Sequence, residues 1–235
     1  MSFPEIFRLM RQGIELIAAW PFRWYAIALL LLLLVESLVL LPMAGFTLKV
    51  ILTALFAATL MPVFADAEQG EPPRISRLFG FYRLPPSGLL AIVIAALLPF
   101  ALGLGWLAWR AGPESVSFFF SSVLRMEPPS AALFQQFKIS LYLFSMPFLF
   151  VPVAVAVKGL GGWAALRESV RAAVRHWRVP ALFFLFSFAY ELLMARLPEF
   201  FPLVGVIVVA LVLVPLFVLI MLSFTYALGV RALEK

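Results

Sequence analysis

Residues 151–178 read VPVAVAVKGLGGWAALRESVRAAVRHWR, and the order of residue types in this stretch decides the fold. An apolar run ends here, glycines interrupt the chain, and arginines then recur at every fourth position before apolar residues resume at Val179. Lys158, Arg167, Arg171, Arg175 and Arg178 all fall within it. Working outward, Arg8, Arg11 and Arg23 precede the first long apolar run. Arg74, Arg77 and Arg83 lie between the second and third, and Arg231 and Lys235 follow the last. Thirteen of the eighteen basic residues therefore occupy alternate gaps, while the other gaps hold only Arg110, Arg125 and Arg196. Basic residues in short loops stay on the cytoplasmic side of a membrane. Six spans with both termini cytoplasmic is the arrangement that satisfies this bias.

Composition leads to the same class. Apolar residues make up 64% of the 235-residue chain and charged residues 13%, which excludes an ordinary soluble domain. The spans are predicted at 24–41, 46–65, 88–109, 131–157, 179–197 and 203–230, each near the roughly 20 residues that cross ~30 Å of hydrocarbon. Prolines at 62, 99, 147, 152 and 215 fall inside them, with kinks expected near Pro152 and Pro215. The run after Arg23 is too long for a secretory signal core and no small-residue cleavage site follows it, so it reads as an anchor. With no cysteine, disulfides, thiolate metal sites and a cysteine nucleophile are excluded. The net charge of +6 points to anionic headgroups rather than nucleic acid, because the basic residues flank the spans.

Three stretches before the hairpins read as amphipathic surface helices. In the first, Ile6, Leu9, Met10, Gly13, Leu16, Ile17 and Trp20 form one face, opposite Arg8, Arg11, Gln12 and Glu15. The second, 74–83, is shorter and contains Leu78, Phe79 and Tyr82. In the third, Leu166, Val170, Ala173, Val174 and Trp177 form an apolar stripe beside Arg167, Arg171 and Arg175. Such helices lie in the headgroup plane with arginines toward phosphates. Arg8, Arg11, Arg167, Arg171 and Arg175 are the expected lipid-headgroup contacts. The chain thus reads as an all-α integral membrane protein, a single transmembrane domain over 1–235. It holds about six transmembrane helices as three hairpins, each preceded by a cytoplasmic amphipathic surface helix, with possible repeats at 1–71, 72–158 and 159–235. On the outer side, Phe118, Phe119 and Phe120 fit either an interfacial segment flanked by Trp106 and Trp109 or a loop against the bundle.

Apart from Arg196 at the very end of the fifth, four ionisable residues fall within the spans: Glu36, Lys49, Lys138 and Glu191. An ionisable group at mid-span costs about 2.5–3.5 kcal/mol on insertion scales, so each requires a reason. All four lie toward the outer half, two acids and two bases at similar depth. They read either as structural pairs, Glu36 with Lys49 and Lys138 with Glu191, or as the lining of a polar path. No catalytic residues and no metal ligands or cofactors are expected. The one histidine, His176, lies among arginines and reads as solvated or headgroup-facing, and Asp66 is the one aspartate. HExxH, GxSxG and phosphate-loop patterns are absent from the sequence. The glycines at 103 and 105 read as helix packing, and those at 159–162 as helix termination.

The joins 61–83, MPVFADAEQGEPPRISRLFGFYR, and 152–177 share a proline–valine near a span end, small residues, a glycine turn and a basic helix. In this they resemble a broad group of bacterial six-span inner-membrane proteins, related to the membrane domain found beside glycerophosphodiester phosphodiesterases. The resemblance implies a bacterial inner-membrane address and an all-helical fold, and it supplies no catalytic residues. The expected function is a non-catalytic polytopic membrane protein acting as an assembly, scaffolding or transport-associated subunit. Its expected partners are membrane lipids and a further membrane protein. The alternative is a stand-alone transporter or a permease for lipids and other amphiphiles.

Overall fold

A computed structural model describes residues 1–41, 44–117, 131–200 and 208–234. Ser2 opens helix α1, Phe3–Ala19, through a capping box with Glu5: each side chain accepts from the other's backbone amide. The helix buries Ile6, Met10, Gly13 and Ile17, spaced three and four apart. Pro21 then starts α2, Pro21–Ser37, at 95° to α1. Proline suits the first turn of a helix because the N–H it lacks would be unpaired there anyway. A 3₁₀ turn, Leu38–Leu40, follows, so α2 ends earlier than the 24–41 reading.

Helix α3, Gly45–Glu68, runs unbroken through Pro62, and α4, Pro86–Ala111, through Pro99. Between them Ile75–Arg83 winds as a nine-residue 3₁₀ helix rather than the expected α-helix. A short α5, Glu114–Ser117, follows α4. The fourth apolar run is divided into α6, Ala131–Ser145, a 3₁₀ turn at Met146–Phe148, and α7, Val151–Ala156. The break comes at Pro147 as well as near Pro152; each proline removes a helix donor, but so do Pro62 and Pro99 without a break. Positive φ at Gly159 and Gly162, +67° and +52°, turns the chain into α8, Gly162–Arg175. Helix α9, Arg178–Phe200, leaves at 86°. A π-helical stretch, Val209–Leu213, leads into α10, Val214–Ala232. The Tyr25 hydroxyl donates to the Leu211 carbonyl, four residues before the proline that has no N–H to offer it.

The fold is an all-α membrane protein, with no strand among the described residues. Four stretches are long and apolar enough to cross a membrane: Gly45–Glu68, Pro86–Ala111, Leu133–Ala156 and Leu211–Ala232. Counting each of the bent pairs α1–α2 and α8–α9 as one broken span brings the number to as many as six. Between α2, α3 and α10, Trp24 stacks on Phe64 at 4.3 Å and Phe64 on Tyr226 at 5.8 Å. A second core joins Ile6 and Met10 of α1 to Ala172 and Ala173 of α8 and to Leu228 and Ala232 of α10. Glu5–Arg231 (3.5 Å) and Lys158–Glu234 (3.5 Å) tie the same end together, and Arg77–Asp66 (3.4 Å) holds the 3₁₀ helix against the end of α3. The surface helices thus gather at one basic end of the bundle.

Small residues let the helices approach. A Cβ at Gly229 would lie 2.8 Å from Val153 Cγ2, and one at Gly88 2.6 Å from Val155 Cγ1, so α10 and α4 both close on α7 through a glycine. Gly13 brings α1 against the backbone of α10 at Ser223. Gly103 faces Phe137 of α6, whereas Gly105 meets open space, so only one glycine of that motif serves packing.

Candidate functional site

The far end of the bundle holds the four charges that the sequence places within the spans. Helix α2 buries Trp24, Ile27, Ala28, Leu31 and Val35, a pattern that turns one face toward α3 and leaves Glu36 at its edge. Lys49 stands one turn into α3, and its ammonium lies 2.7 Å from both Glu36 carboxylate oxygens. Both groups are near the turn, and the side chains remain 30% and 50% exposed, Lys49 and Glu36 respectively. This pair is edge-on rather than buried.

In the second pair the acid is more deeply buried, while its lysine stays 36% exposed. Lys138 and Tyr142 are four residues apart on α6 and so share a face, the one toward α9. Lys138 Nζ donates to Glu191 Oε2 at 2.9 Å, and the Tyr142 hydroxyl donates to Glu191 Oε1 at 2.9 Å. Each carboxylate oxygen therefore has its own donor, in a side chain only 11% exposed. The ammonium also lies 5.1 Å from the centre of the Phe134 ring. Beside the acid, Tyr190 stacks on Phe217 at 3.8 Å and fixes α9 to α10. No hydrogen bond or ion pair joins the two pairs among the described residues.

Beyond Tyr142 a crevice of about 220 Å³ opens between α6, α9 and α10. Two of its hydroxyls are turned back on their own helices: Ser145 donates to the Tyr142 carbonyl and Thr225 to the Met221 carbonyl, both at 2.8 Å. Among the described residues no three His, Cys, Asp or Glu side chains gather as metal ligands would. No known protein family, curated protein or solved structure matches the chain.

At the basic end, Arg8 and Arg11 are exposed on α1, with Arg11 paired to Glu15 at 2.9 Å. Arg167, Arg171 and Arg175 are exposed on α8, with Arg171 paired to Glu168 at 2.7 Å. The apolar stripe expected on α8 is divided. Leu166 and Ala173 turn inward with Ala165, Ser169 and Ala172, whereas Val174 and Trp177 face outward with Trp163, at 70%, 64% and 77% exposure. A helix that must pack against the bundle uses its small residues for that contact, leaving the tryptophans at the border with the arginines. His176 is also corrected: it is buried, not solvated, because α8 ends at Arg175 and the sharp turn into α9 carries the ring inward. Its Nδ1 lies 3.0 Å from the Met1 amino nitrogen. The expected aromatic segment at 118–120 lies outside the described residues.

Sequence reasoning missed Tyr142 as the second donor to Glu191; its four-residue spacing from Lys138 was the available signal. It also missed the tie between the Tyr226 hydroxyl and Glu68 at 2.6 Å, which connects positions too distant in sequence for any local pattern.

Proposed function

We propose that the chain is a non-catalytic polytopic protein of the bacterial inner membrane, acting as an assembly, scaffolding or transport-associated subunit. The observation that carries this reading is the closure of the intramembrane charges: each acid is held by a neighbouring base, the Tyr142 hydroxyl donates to Glu191, and those of Ser145 and Thr225 donate to their own backbones. Polar groups occupied in this way hold helices together and leave little for a passing substrate. The test is purification in mild detergent with crosslinking and mass spectrometry. A stoichiometric membrane-protein partner is the expected result, and a chain that purifies without one counts against it.

The second reading, a permease for amphiphiles, has one observation in its favour. An apolar groove of about 440 Å³ between α1, α9 and α10 is lined by Phe7, Ile14, Phe186, Phe217 and Phe224. Movement of a fluorescent phospholipid between leaflets of proteoliposomes would favour it over the scaffold.

In this reading the basic end faces the cytoplasm, as the distribution of arginine and lysine requires. Alkaline phosphatase fused after Lys235 is then expected to be inactive, and a green fluorescent protein at the same place to fluoresce. The reverse pattern would overturn the orientation.

A further inference from the structure

The 3₁₀ helix at Ile75–Arg83 has a consequence for its arginines. Runs of this helix beyond three or four residues are uncommon, and its period of 3.0 places residues i and i+3 directly above one another, about 6 Å apart. Arg77, Gly80 and Arg83 therefore form a single row, and Arg74, the extended residue that caps the helix, lines the same cavity at its start. In an α-helix the same positions would drift by roughly 60° at each step, and Arg77 and Arg83 would point in different directions. The winding is held in place from below: Leu78 is fully buried, and the Thr59 hydroxyl of α3 lies 3.0 Å from its carbonyl.

The row faces a cavity of about 480 Å³ between α3 and the end of α7. Gly80 leaves room in the middle of the row, since a Cβ there would meet nothing within 4 Å. Ser76 and Tyr82 add hydroxyls to the rim, and Pro62, Leu84 and Ala156 supply an apolar wall. The charges are poorly balanced from within. Arg77 reaches Asp66 at 3.4 Å, Arg83 rests on the Tyr82 ring at 5.4 Å, and Arg74 has no ion pair among the described residues. Three guanidiniums opposite one carboxylate call for an anion with several oxygens, because guanidinium forks match phosphate geometry. An apolar wall on a membrane-spanning helix calls for an acyl chain attached to it.

We propose that this cavity binds the phosphate headgroup of an anionic phospholipid, with the arginine row on the phosphate and the first part of a chain against Pro62 and Ala156. The site is separate from the α1 and α8 arginines and does not depend on the scaffold reading. The test uses the full chain in mild detergent, with native mass spectrometry after addition of phosphatidylglycerol or phosphatidylcholine. One retained phosphatidylglycerol is expected, with phosphatidylcholine displaced by it.

Arg74→Gln with Arg83→Gln leaves the Arg77–Asp66 pair intact and should weaken retention about thirtyfold, given two lost cations close to an anionic headgroup. Gly80→Leu keeps every charge but fills the cavity, and should also abolish retention, so a folding defect from charge removal cannot decide the result. Arg167→Gln with Arg171→Gln on α8 should leave it unchanged. Equal retention of both lipids, or retention that survives Gly80→Leu and the double arginine variant, would overturn the proposal. Inorganic phosphate protecting the chain from heat as well as phosphatidylglycerol does would replace the lipid with a soluble phosphate ligand and overturn it too.

Discussion

Glu191→Gln is expected to lower stability by about 2 kcal/mol, between the scales for an exposed and a buried pair, because the acid is buried while the Lys138 side chain stays 36% exposed. It should be the most damaging single change among the four intramembrane charges. The substitution keeps the shape of the side chain and an acceptor for Tyr142, but it leaves the Lys138 ammonium without its counter-charge. Adding Lys138→Met removes the orphaned charge and should recover most of the loss. Glu36→Gln should cost less than about 1 kcal/mol, because an exposed pair contributes little and Lys49 can extend toward the nearby turn. Melting temperature in mild detergent and the yield of folded protein from membranes measure both. If the two single variants are equally harmful, burial does not set the cost. If the double variant is no better than Glu191→Gln alone, the pair is not the reason for these residues. Normal folding of Glu191→Gln with loss of function in the cell would move the balance toward a polar path.

The second large effect is expected at Gly229. A Cβ there lies 2.8 Å from Val153 Cγ2 and 3.2 Å from both Val153 Cβ and Phe150 Cδ1. A neighbouring Cβ is fixed by its backbone, so it can move only if α7 shifts away from α10. Gly229→Leu should therefore cost about 3 kcal/mol, the upper part of the range for overfilling a packed core. Gly105→Ala is the control. Nothing lies within 4 Å of a Cβ at that position, and alanine is favoured over glycine in a helix by about 1 kcal/mol, so the variant should be neutral or more stable. Thermal unfolding of the two variants side by side makes the comparison. A tolerated Gly229→Leu would mean that α10 does not depend on close contact with α7.

Both expectations concern contacts that the sequence indicates only in part. The apolar runs are legible because crossing hydrocarbon leaves so few choices of composition, and α3 and α4 lie within three residues of their expected bounds. The acid–base pairing is legible for a related reason: an ionised group in a span needs a partner, and there are few to choose from. Where the reading departs from the structure, the deciding contact is tertiary. Pro147 breaks a helix that Pro62 and Pro99 leave intact, although all three remove the same backbone donor. Whether α8 buries its tryptophans or its alanines depends on how closely α4 and α7 approach it, which periodicity does not encode. The 3₁₀ winding of Ile75–Arg83 is of the same kind, being set by where Leu78 and its carbonyl meet α3.

The contact of α1 with α10 sets an order of assembly. The apolar face of α1 is completed by Ser223, Phe224, Leu228 and Ala232, and Glu5 by Arg231. A ribosome makes α1 long before it makes those residues, and contacts so distant in sequence are slow to close. Until then Ile6 and Met10 lack the α8 and α10 surface that covers them, and the bilayer interface is the natural place for such a face to wait. The amphipathic character of α1 thus serves two successive environments, lipid during synthesis and α10 afterwards. Packing of α10 against α1 then covers that face with protein.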